Sequence, residues 1–294
     1  MCYTGTILEK KQEDEPMVMK CVALDLDGTT LDRQGKLSPA NRQAIEAAIA
    51  QGVHVVIASG RSYDTLPKKV LSIPGIEWAI TCNGAAVYQV PEGRVRCRHT
   101  MTPASVETIF QVAAGERATY EAFIEGVAYA DRRMLEDPVK YGCTPMGAKY
   151  VQATRKPVPD IVQFIRDHNQ ELDSIDLVLH TQEDRDRLWK ILEQKSGELY
   201  ITSSVYHLLE LSSHRGGKAN GLRWVLDQIG VTPEEAVAFG NADNDIDLLN
   251  LAGVGVAVAD ATDSCRAAAD RCTRASYEDG VAVALMELLN ANQI

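Results

Sequence analysis

Two carboxylates stand two positions apart at the end of an apolar run near the start of the chain. Residues 22–29 read Val-Ala-Leu-Asp-Leu-Asp-Gly-Thr, and the apolar part predicts a strand over residues 22–26. Side chains at positions i and i+2 of a strand share a side, so we expect Asp25 and Asp27 to face one space about 6–7 Å apart. Such a pair could hold Mg²⁺, which prefers hard oxygen ligands, or act as a nucleophile and a general acid and base.

Two other interpretations of this segment need to be considered. An Asp-x-Asp-Gly string also begins calcium loops, but Thr30 and Lys36 occupy the places where such a loop requires glycine and glutamate. The spacing therefore excludes a calcium loop. A surface turn remains open for this segment taken alone, because Asp-Gly is common in turns.

The composition is that of an ordinary globular protein. The chain has 294 residues, of which 45% are hydrophobic and 24% charged, and its formal net charge is −11. This length suits one large or two medium domains, and the acidic balance argues against a non-specific nucleic-acid binder. No stretch of eighteen apolar residues occurs, so we expect no membrane span.

The cysteines and the N-terminal residues indicate a reducing compartment. The seven cysteines are odd in number and form no C-x-x-C pair, which predicts free thiols, no structural metal and a cytoplasmic location. Residues 1–16 are rich in charge and lack the apolar centre of a signal peptide. We expect them to be an N-terminal extension of the folded part.

Apolar strands alternate with amphipathic helices in two parts of the chain. Ser38 followed by Pro39 indicates the start of a helix, and Gly52 indicates its end. The series predicts an α/β fold with a Rossmann-like, doubly wound parallel sheet. The predicted strands of this core are 22–26, 53–58, 78–81, 236–239, 254–258 and 271–273, and its helices are 39–50, one near Pro67, 218–229, 244–251, 263–269 and 279–291.

The pattern changes between these two parts. A hairpin over residues 85–90 and 94–99 is followed by helices at 103–114, 157–168 and 182–195 and strands near 120–124, 127–130, 175–181, 198–203 and 207–211. We predict an inserted α+β cap domain over residues 85–211. The catalytic core would then comprise residues 17–84 and 212–294.

Two further polar positions adjoin predicted elements of the core. Ser59 and Gly60 follow the second strand, where ligands of open α/β sheets bind, and could hold a phosphoryl oxygen. Lys218 begins a helix, where a cation is unfavourable unless an anion lies nearby. The segment before it is no P-loop, because Ala219 replaces the hydroxyl residue that binds Mg²⁺. The alternatives are a helix-capping serine and a solvated lysine.

The most polar strand end follows residue 239. The segment Gly240-Asn241-Ala242-Asp243-Asn244-Asp245 precedes an apolar helix face, and its spacing does not fit a calcium loop. Carboxylates at the start of a helix often serve as caps. This cluster holds more of them than capping requires, which indicates a ligand site.

These four segments, in this order, resemble the haloacid dehalogenase superfamily. D-L-D-G-T-T resembles its first motif, A-S-G-R its second, Lys218 its third and G-N-A-D-N-D its fourth. The resemblance extends over residues 17–294 and is to the Cof-type phosphatases, which carry a large cap between the second and third motifs. I-T-C-N-G-A before the cap and E-D-G-V near the end also resemble that group.

The resemblance implies a role for each matching residue. Asp25 would be the nucleophile that forms an aspartyl phosphate, and Asp27 would act as general acid and base. Mg²⁺ would lie between the Asp25 carboxylate, the Asp27 main-chain carbonyl and the fourth motif, in which Asp245 could instead orient Lys218 or a water on the metal. The implied phosphate-binding residues are Ser59, Gly60, Lys218 and Asn244, the metal-binding residues are Asp25, Asp27, Asn241 and Asp245, and the residues around the substrate are Gly28, Thr29, Arg61 and Asn83.

Asn241 departs from the motif of the family, which usually begins Gly-Asp. An amide oxygen can bind Mg²⁺, but the site then has one negative charge fewer. Two consequences are open, namely weaker metal binding and direct ligation by Asp245 or Asp243.

The resemblance implies Mg²⁺-dependent hydrolysis of phosphate monoesters of small metabolites, sugar phosphates first. A sugar phosphomutase and a non-catalytic protein that binds phosphometabolites are the alternatives. We expect a monomer or a weak homo-oligomer. The cations of the cap that could choose the substrate are Arg94, Arg96, Arg98, Arg132 and Arg133.

Overall fold

A computed structural model describes residues 18–291 of the chain. The predicted N-terminal extension lies outside these residues. The strands, in chain order, are β1 (Cys21–Leu24), β2 (His54–Ala58), β3 (Ile76–Thr81), β4 (Ala86–Gln89), β5 (Arg94–Arg98), β6 (Thr119–Ile124), β7 (Val127–Asp131), β8 (Lys156–Val158), β9 (Ser174–Val178), β10 (Leu199–Thr202), β11 (Leu208–Ser213), β12 (Ala236–Gly240), β13 (Val254–Ala257) and β14 (Arg271–Cys272).

Most helices begin at a residue whose side chain accepts a hydrogen bond from the first turn. Ser38 accepts from the main-chain N–H of Asn41, and Thr181 caps the longest helix in the same way. The helices are α1 (Pro39–Ala50), α2 (Lys68–Leu71), α3 (Pro103–Ala113), α4 (Arg132–Glu136), α5 (Pro145–Thr154), α6 (Ile161–Asp167), α7 (Gln182–Lys195), α8 (Lys218–Ile229), α9 (Ile246–Leu251), α10 (Asp263–Ala268) and α11 (Gly280–Ala291).

A mixed eight-stranded sheet forms the core, in the order β14-β13-β12-β1-β2-β3-β4-β5. The strands from β14 to β3 run parallel, whereas β4 and β5 are antiparallel to their neighbours. Alternate residues of the central strands pack on opposite faces, with Val22 and Leu24 against α1 and α11 and Ala23 against α8 and α9. The predicted doubly wound α/β fold is confirmed.

A second sheet of six strands has the order β10-β11-β9-β6-β7-β8 and is antiparallel except where β7 meets β8. Helices α3, α6 and α7 cover one face, burying Ile109, Ile165 and Leu188 with the apolar residues of β6, β9 and β11. The opposite face turns towards the carboxyl ends of the core strands, and a cavity of about 530 Å³ lies between them.

The first boundary of the predicted cap does not match the sheets. The hairpin of β4 and β5 was predicted within the cap, which was to begin at residue 85, but it extends the core sheet by pairing with β3. Without this hairpin the main-chain groups of β3 would form an unpaired edge. The core sheet ends with β5 at Arg98 and the second sheet begins at Thr119, so the boundary between the two parts lies after residue 98.

Short elements account for the other differences. The predicted helix over residues 157–168 begins at Ile161, because Lys156–Val158 pairs with β7 as a short parallel strand. Helices α4 and α5 were not predicted. Within residues 18–291 no helix is long and apolar enough to cross a membrane, and every cysteine of that part is a free thiol.

Candidate active site

The polar segments singled out in the sequence meet at one edge of the core sheet. Strand β1 lies between β12 and β2, so the carboxyl ends of the three strands are neighbours. Asp25 follows β1, Ser59 follows β2 and Asn241 follows β12. Helix α8 brings Lys218 to the same edge. Ligands of open α/β sheets bind at this edge.

Asp25 is buried and held from both sides. Its side-chain oxygen Oδ1 accepts a hydrogen bond from Lys218 Nζ at 2.7 Å, and Oδ2 accepts one from Thr29 Oγ1 at 2.7 Å. The Thr30 hydroxyl donates to the main-chain carbonyl of Asp25 at 2.6 Å, which closes the turn after β1. The carboxylate of Asp25 therefore has a defined orientation at the floor of the cavity, which it lines.

Lys218 joins Asp25 to a second buried carboxylate. Its ammonium group is 0% exposed and lies 2.6 Å from Asp245 Oδ1. Asp245 Oδ2 accepts from the main-chain N–H groups of Asn241 at 2.8 Å and Ala242 at 3.1 Å. Both oxygens of Asp245 are thus engaged, and Asp245 does not line the cavity.

The electrostatics of these three groups depend on burial and on one another. Burial and then the charge of Asp245 raise the pKa of Asp25 to about 7, against the lowering effect of Lys218. Burial alone would lower the pKa of Lys218, but the charges of Asp245 and Asp25 raise it above its usual value. Lys218 is therefore a permanent cation beside Asp25.

Asp27 is half exposed and paired with Arg61. Both of its side-chain oxygens accept hydrogen bonds from the guanidinium group, at 2.7 Å from Nε and 2.7 Å from Nη2. Arg61 also donates to the Thr65 carbonyl at 2.8 Å and lies over the Tyr150 ring, 4.5 Å from its centroid. Because Tyr150 belongs to α5, this stack joins the core to the second sheet's domain, that is, the six-stranded sheet and the helices around it.

Ser59, Asn83 and Asn244 form the other side of the site. Ser59 is buried, and its hydroxyl accepts a hydrogen bond from the Arg61 N–H at 3.2 Å. Asn83 Oδ1 accepts from Asn244 Nδ2 at 3.0 Å, and Asn83 Nδ2 donates to Glu210 at 3.2 Å. Asn83 has a positive φ of 49°, which asparagine tolerates better than most residues.

Asn241 lies against the loop that carries the two aspartates. A Cβ atom added to Gly28, whose φ is +77°, would lie 2.5 Å from Asn241 Nδ2, so the loop requires glycine there. Asn241 and Asp25 line the same cavity and both carry hard oxygen donors. This donor chemistry fits Mg²⁺, which binds few protein ligands and keeps several waters.

The four predicted metal-binding residues differ from one another in whether a cation of the protein already engages their side chains. Asp25 and Asn241 face the cavity, whereas the carboxylates of Asp27 and Asp245 are engaged by Arg61 and Lys218. Asp243 points away, with Oδ1 accepting from Thr262 Oγ1 at 3.1 Å. In the described part of the chain no three His, Cys, Asp or Glu side chains are grouped to hold a metal. Direct ligation by Asp243 or Asp245 therefore does not fit this geometry.

Residues of the second sheet's domain that sequence reasoning missed also line the cavity. They are Glu121, Phe123, Tyr150, Arg155, Asp176 and Glu210. A signal was present, because Asp176 and Glu210 each stand between apolar residues in a strand, where a charged residue is unusual. The predicted cap arginines lie elsewhere, with Arg98 paired to Asp173 and none of the five lining the cavity.

Comparisons with known proteins agree with this geometry. A family model of haloacid dehalogenase-like hydrolases matches residues 22–285. The phosphatase YwpJ of Bacillus subtilis is 27% identical over 297 residues, covering 92% of this chain and 100% of its own. The pyridoxal phosphate phosphatase YbhA of Escherichia coli is 27% identical over 273 residues, covering 90% of this chain and 97% of its own.

Solved structures show the same fold. A haloacid dehalogenase-like hydrolase from B. subtilis has a TM-score of 0.79 at 27% identity, covering 92% of this chain and 100% of that one. A sugar phosphatase of haloacid dehalogenase subclass IIB has a TM-score of 0.77 at 20% identity, covering 92% and 98%. The chain therefore belongs to the haloacid dehalogenase-like hydrolase family. Within that family it is a Cof-type phosphatase, as the order of its motifs predicted.

Proposed function

We propose that this phosphatase hydrolyses phosphate monoesters of small metabolites through an aspartyl phosphate on Asp25, with Mg²⁺ as cofactor. The observation that carries the proposal is the Asp25 carboxylate at the floor of the cavity, held at 2.7 Å by a buried lysine. A nucleophile oriented beside a fixed cation is suited to attack on an anionic phosphoryl group.

The residues that would hold Mg²⁺ are Asp25, through its carboxylate, Asp27, through its main-chain carbonyl, and Asn241, through its amide oxygen. The ion would supply positive charge to the phosphoryl oxygens. Lys218 shares one positive charge between Asp25 and Asp245, so these three side chains together carry one excess negative charge when both carboxyl groups are ionised. Further positive charge is therefore needed before a phosphate dianion can approach Asp25.

In the first step an oxygen of Asp25 attacks phosphorus and the bond from phosphorus to the ester oxygen breaks. Asp27 gives its proton to that oxygen, and the alcohol leaves. Before this step Asp27 must leave Arg61, with which its carboxylate is paired, and take up a proton from solvent, to which it is half exposed. Protonation of the leaving oxygen avoids release of an alkoxide.

In the second step Asp27 takes a proton from water, and the water oxygen attacks phosphorus. The bond from phosphorus to Asp25 breaks, so inorganic phosphate leaves and the carboxylate is restored. Ser59, the Gly60 main chain, Lys218 and Asn244 would bind the phosphoryl oxygens in both steps. Donors that are already oriented stabilise the transition state without reorganisation.

The names of the relatives support small metabolites as substrates. One relative is a pyridoxal phosphate phosphatase, and another from B. subtilis is a 5-amino-6-(5-phospho-D-ribitylamino)uracil phosphatase. A cavity of about 530 Å³ suits a ligand of this size. Sugar phosphates remain the first class to test.

The test is release of inorganic phosphate from a panel of phosphorylated metabolites and p-nitrophenyl phosphate, with and without Mg²⁺. We expect Asp25→Asn to lower kcat by about a thousandfold or more, because the covalent route requires a carboxylate. The matched control is Asp227→Asn, the same change at an exposed position of α8.

Activity that survives Asp25→Asn would overturn the mechanism. Isomerised sugar phosphate without free phosphate would show a mutase instead. Metabolite binding without turnover in the wild type would favour the non-catalytic alternative.

A further inference from the structure

Three acidic residues form a row on the face of the second sheet that lines the cavity. Glu210 in β11 is the register partner of Asp176 in β9, and Asp176 is the register partner of Glu121 in β6. Directly opposed residues of antiparallel strands project to the same face with Cβ atoms about 4.5–5.5 Å apart. All three line the cavity that also contains Asp25.

Only one end of this acidic row, defined as Glu121, Asp176 and Glu210, has a cation. Glu121 Oε2 accepts from Arg155 Nε at 2.8 Å and from Nη2 at 2.6 Å. Glu210 accepts only neutral donors, the Asn83 amide at 3.2 Å and the Ser204 N–H at 2.5 Å. When its members are ionised, the row therefore carries more negative charge than its partners balance.

Asp176, in the middle of the row, has no hydrogen-bonding or ion-pair partner among the described residues. It is 6% exposed, and its side chain makes no hydrogen bond or ion pair with any residue between 18 and 291. A buried carboxylate without donors is costly, and a like charge directly opposite adds to the cost. The Asp176 carboxyl group therefore faces the cavity without a donor from the described part of the protein.

The charged groups around the row do not remove this imbalance. Arg155 is engaged by Glu121, and Lys218, the next cation, is engaged by Asp25 and Asp245. Burial, followed by the charges of Glu210 and Glu121, raises the pKa of Asp176 well above its usual range, and burial also raises the pKa of Glu210. A cation in the cavity would stabilise the charged forms of Asp176 and Glu210.

The row begins beside the predicted phosphate site. A Cβ atom added to Gly60 would lie 3.0 Å from Glu210 Oε1, and Gly60 follows Ser59 directly. Glu210 therefore borders the phosphate loop, and Asp176 lies one strand further along the sheet. A phosphate ester bound at Asp25 would extend its leaving group along this face.

We propose that Asp176 and Glu210 bind an ammonium group on the leaving group of the substrate, so that the enzyme selects phosphate monoesters of amino alcohols or amino sugars. This inference rests on the proposed function. A hydroxyl group could donate hydrogen bonds to Asp176 but would leave the charge of the row unbalanced. A metal ion is less suited, because the three carboxyl groups of the row, like all others in the described residues, are not grouped so as to hold a metal ion.

The test compares kcat/KM for aminoalkyl phosphates of increasing chain length with that for hydroxyalkyl phosphates of the same length. An amino-sugar phosphate and its sugar counterpart form a further pair, and p-nitrophenyl phosphate, which has no amine, reports on the chemistry alone. We expect the wild type to prefer one or more amines by roughly tenfold or more.

Two variants assign that preference to the row. Asp176→Asn and Glu210→Gln keep the shape of each side chain and remove its charge. We expect both to lose most of the preference for amines. Asp167→Asn, an exposed position in α6, is the matched control and should keep the preference.

The outcomes separate this inference from the proposed function. Equal or better hydrolysis of the hydroxyl compounds by the wild type, or a preference that persists in both variants, would overturn the ammonium site and leave the phosphatase intact. No phosphate release from any compound, p-nitrophenyl phosphate included, would instead reject the proposed function and this inference with it.

Discussion

Lys218 is the residue on which the charge balance of the site depends. It is the one cation in contact with both Asp25 and Asp245 among the described residues, at 2.7 and 2.6 Å. All three side chains are buried. Removing one member of such a buried charged group lowers the stability of the folded state by about 3–5 kcal/mol, because its partner is left without compensation. Lys218 therefore serves both the folded state and the orientation of Asp25.

Asn241 is the residue at which this chain departs from its family's motif. Its side chain packs against Gly28 beside Asp25, and it brings an amide where the family usually has a carboxylate. A neutral ligand binds Mg²⁺ less strongly than a charged one but adds no repulsion to the cluster of acids in the empty enzyme.

We expect Asn241→Asp to raise the apparent Mg²⁺ affinity by about tenfold. It should also lower the stability of the ion-free protein, because a fourth carboxylate then lies near those of Asp25, Asp27 and Asp245 and repels them. Phosphate release titrated with Mg²⁺ measures the first effect. Thermal unfolding with and without Mg²⁺ measures the second, and the ion should raise Tm more in the variant than in the wild type. An unchanged affinity would remove Asn241 from the metal site.

At the scale of elements, the site depends on how closely its turns approach one another. The turn after β3 contains Gly84, with φ +90°, and its Cα lies against the Gly217 carbonyl just before α8. The Gly217 N–H in turn donates to the Asn83 carbonyl at 2.7 Å. These contacts position the start of α8, and with it Lys218, relative to the end of β3.

We expect Gly84→Ala to destabilise the protein by about 3 kcal/mol or more and to lower kcat, because the new Cβ would meet main-chain atoms that cannot yield. Gly35→Ala is the matched control. Gly35 also has a positive φ, +73°, but nothing lies within 4 Å of its added Cβ, so only the backbone cost of about 1 kcal/mol applies. Urea unfolding compares the two variants, and equal losses would contradict the close-approach explanation.

At the scale of the whole molecule, contacts of Tyr150 and Arg98 are among those that hold the second sheet's domain over the core. Tyr150 lies between two guanidinium groups, with its ring centroid 4.5 Å from Arg61 and 4.9 Å from Arg155. Where the chain leaves the core sheet at the end of β5, Arg98 Nε donates to the buried Asp173 at 2.5 Å.

We expect Arg98→Met to lower the stability of the protein by about 2–4 kcal/mol, because Asp173 is 0% exposed and would lose the one cation that pairs with it among the described residues. The double variant Arg98→Met/Asp173→Asn should recover much of that loss, since no unpaired charge then remains buried. Thermal unfolding of the two variants and the wild type measures both effects. A double variant no more stable than the single one would show that packing of Arg98, and not its charge, is what matters.

Much of the core could be predicted because local patterns determine it. Ser38 and Pro39 define the start of α1, and the predicted limits of α7 and α8 match the structure. The hairpin of β4 and β5 was wrongly assigned to the cap, because a hairpin has the same local pattern whichever sheet it joins. The roles of the site residues remain predictions, although the structure brings Asp25, Ser59, Lys218 and Asn244 to one edge.

The sequence by itself determined the order of the elements, the polar ends of the core strands and the family, because apolar runs, caps and motifs are local features. Only the tertiary structure decided which residues face the phosphate site from the second sheet. Glu121, Asp176 and Glu210 are far apart in the chain and meet through the register of three antiparallel strands. Strand pairing is non-local, so no spacing within the sequence could have placed an unpaired carboxylate in that cavity.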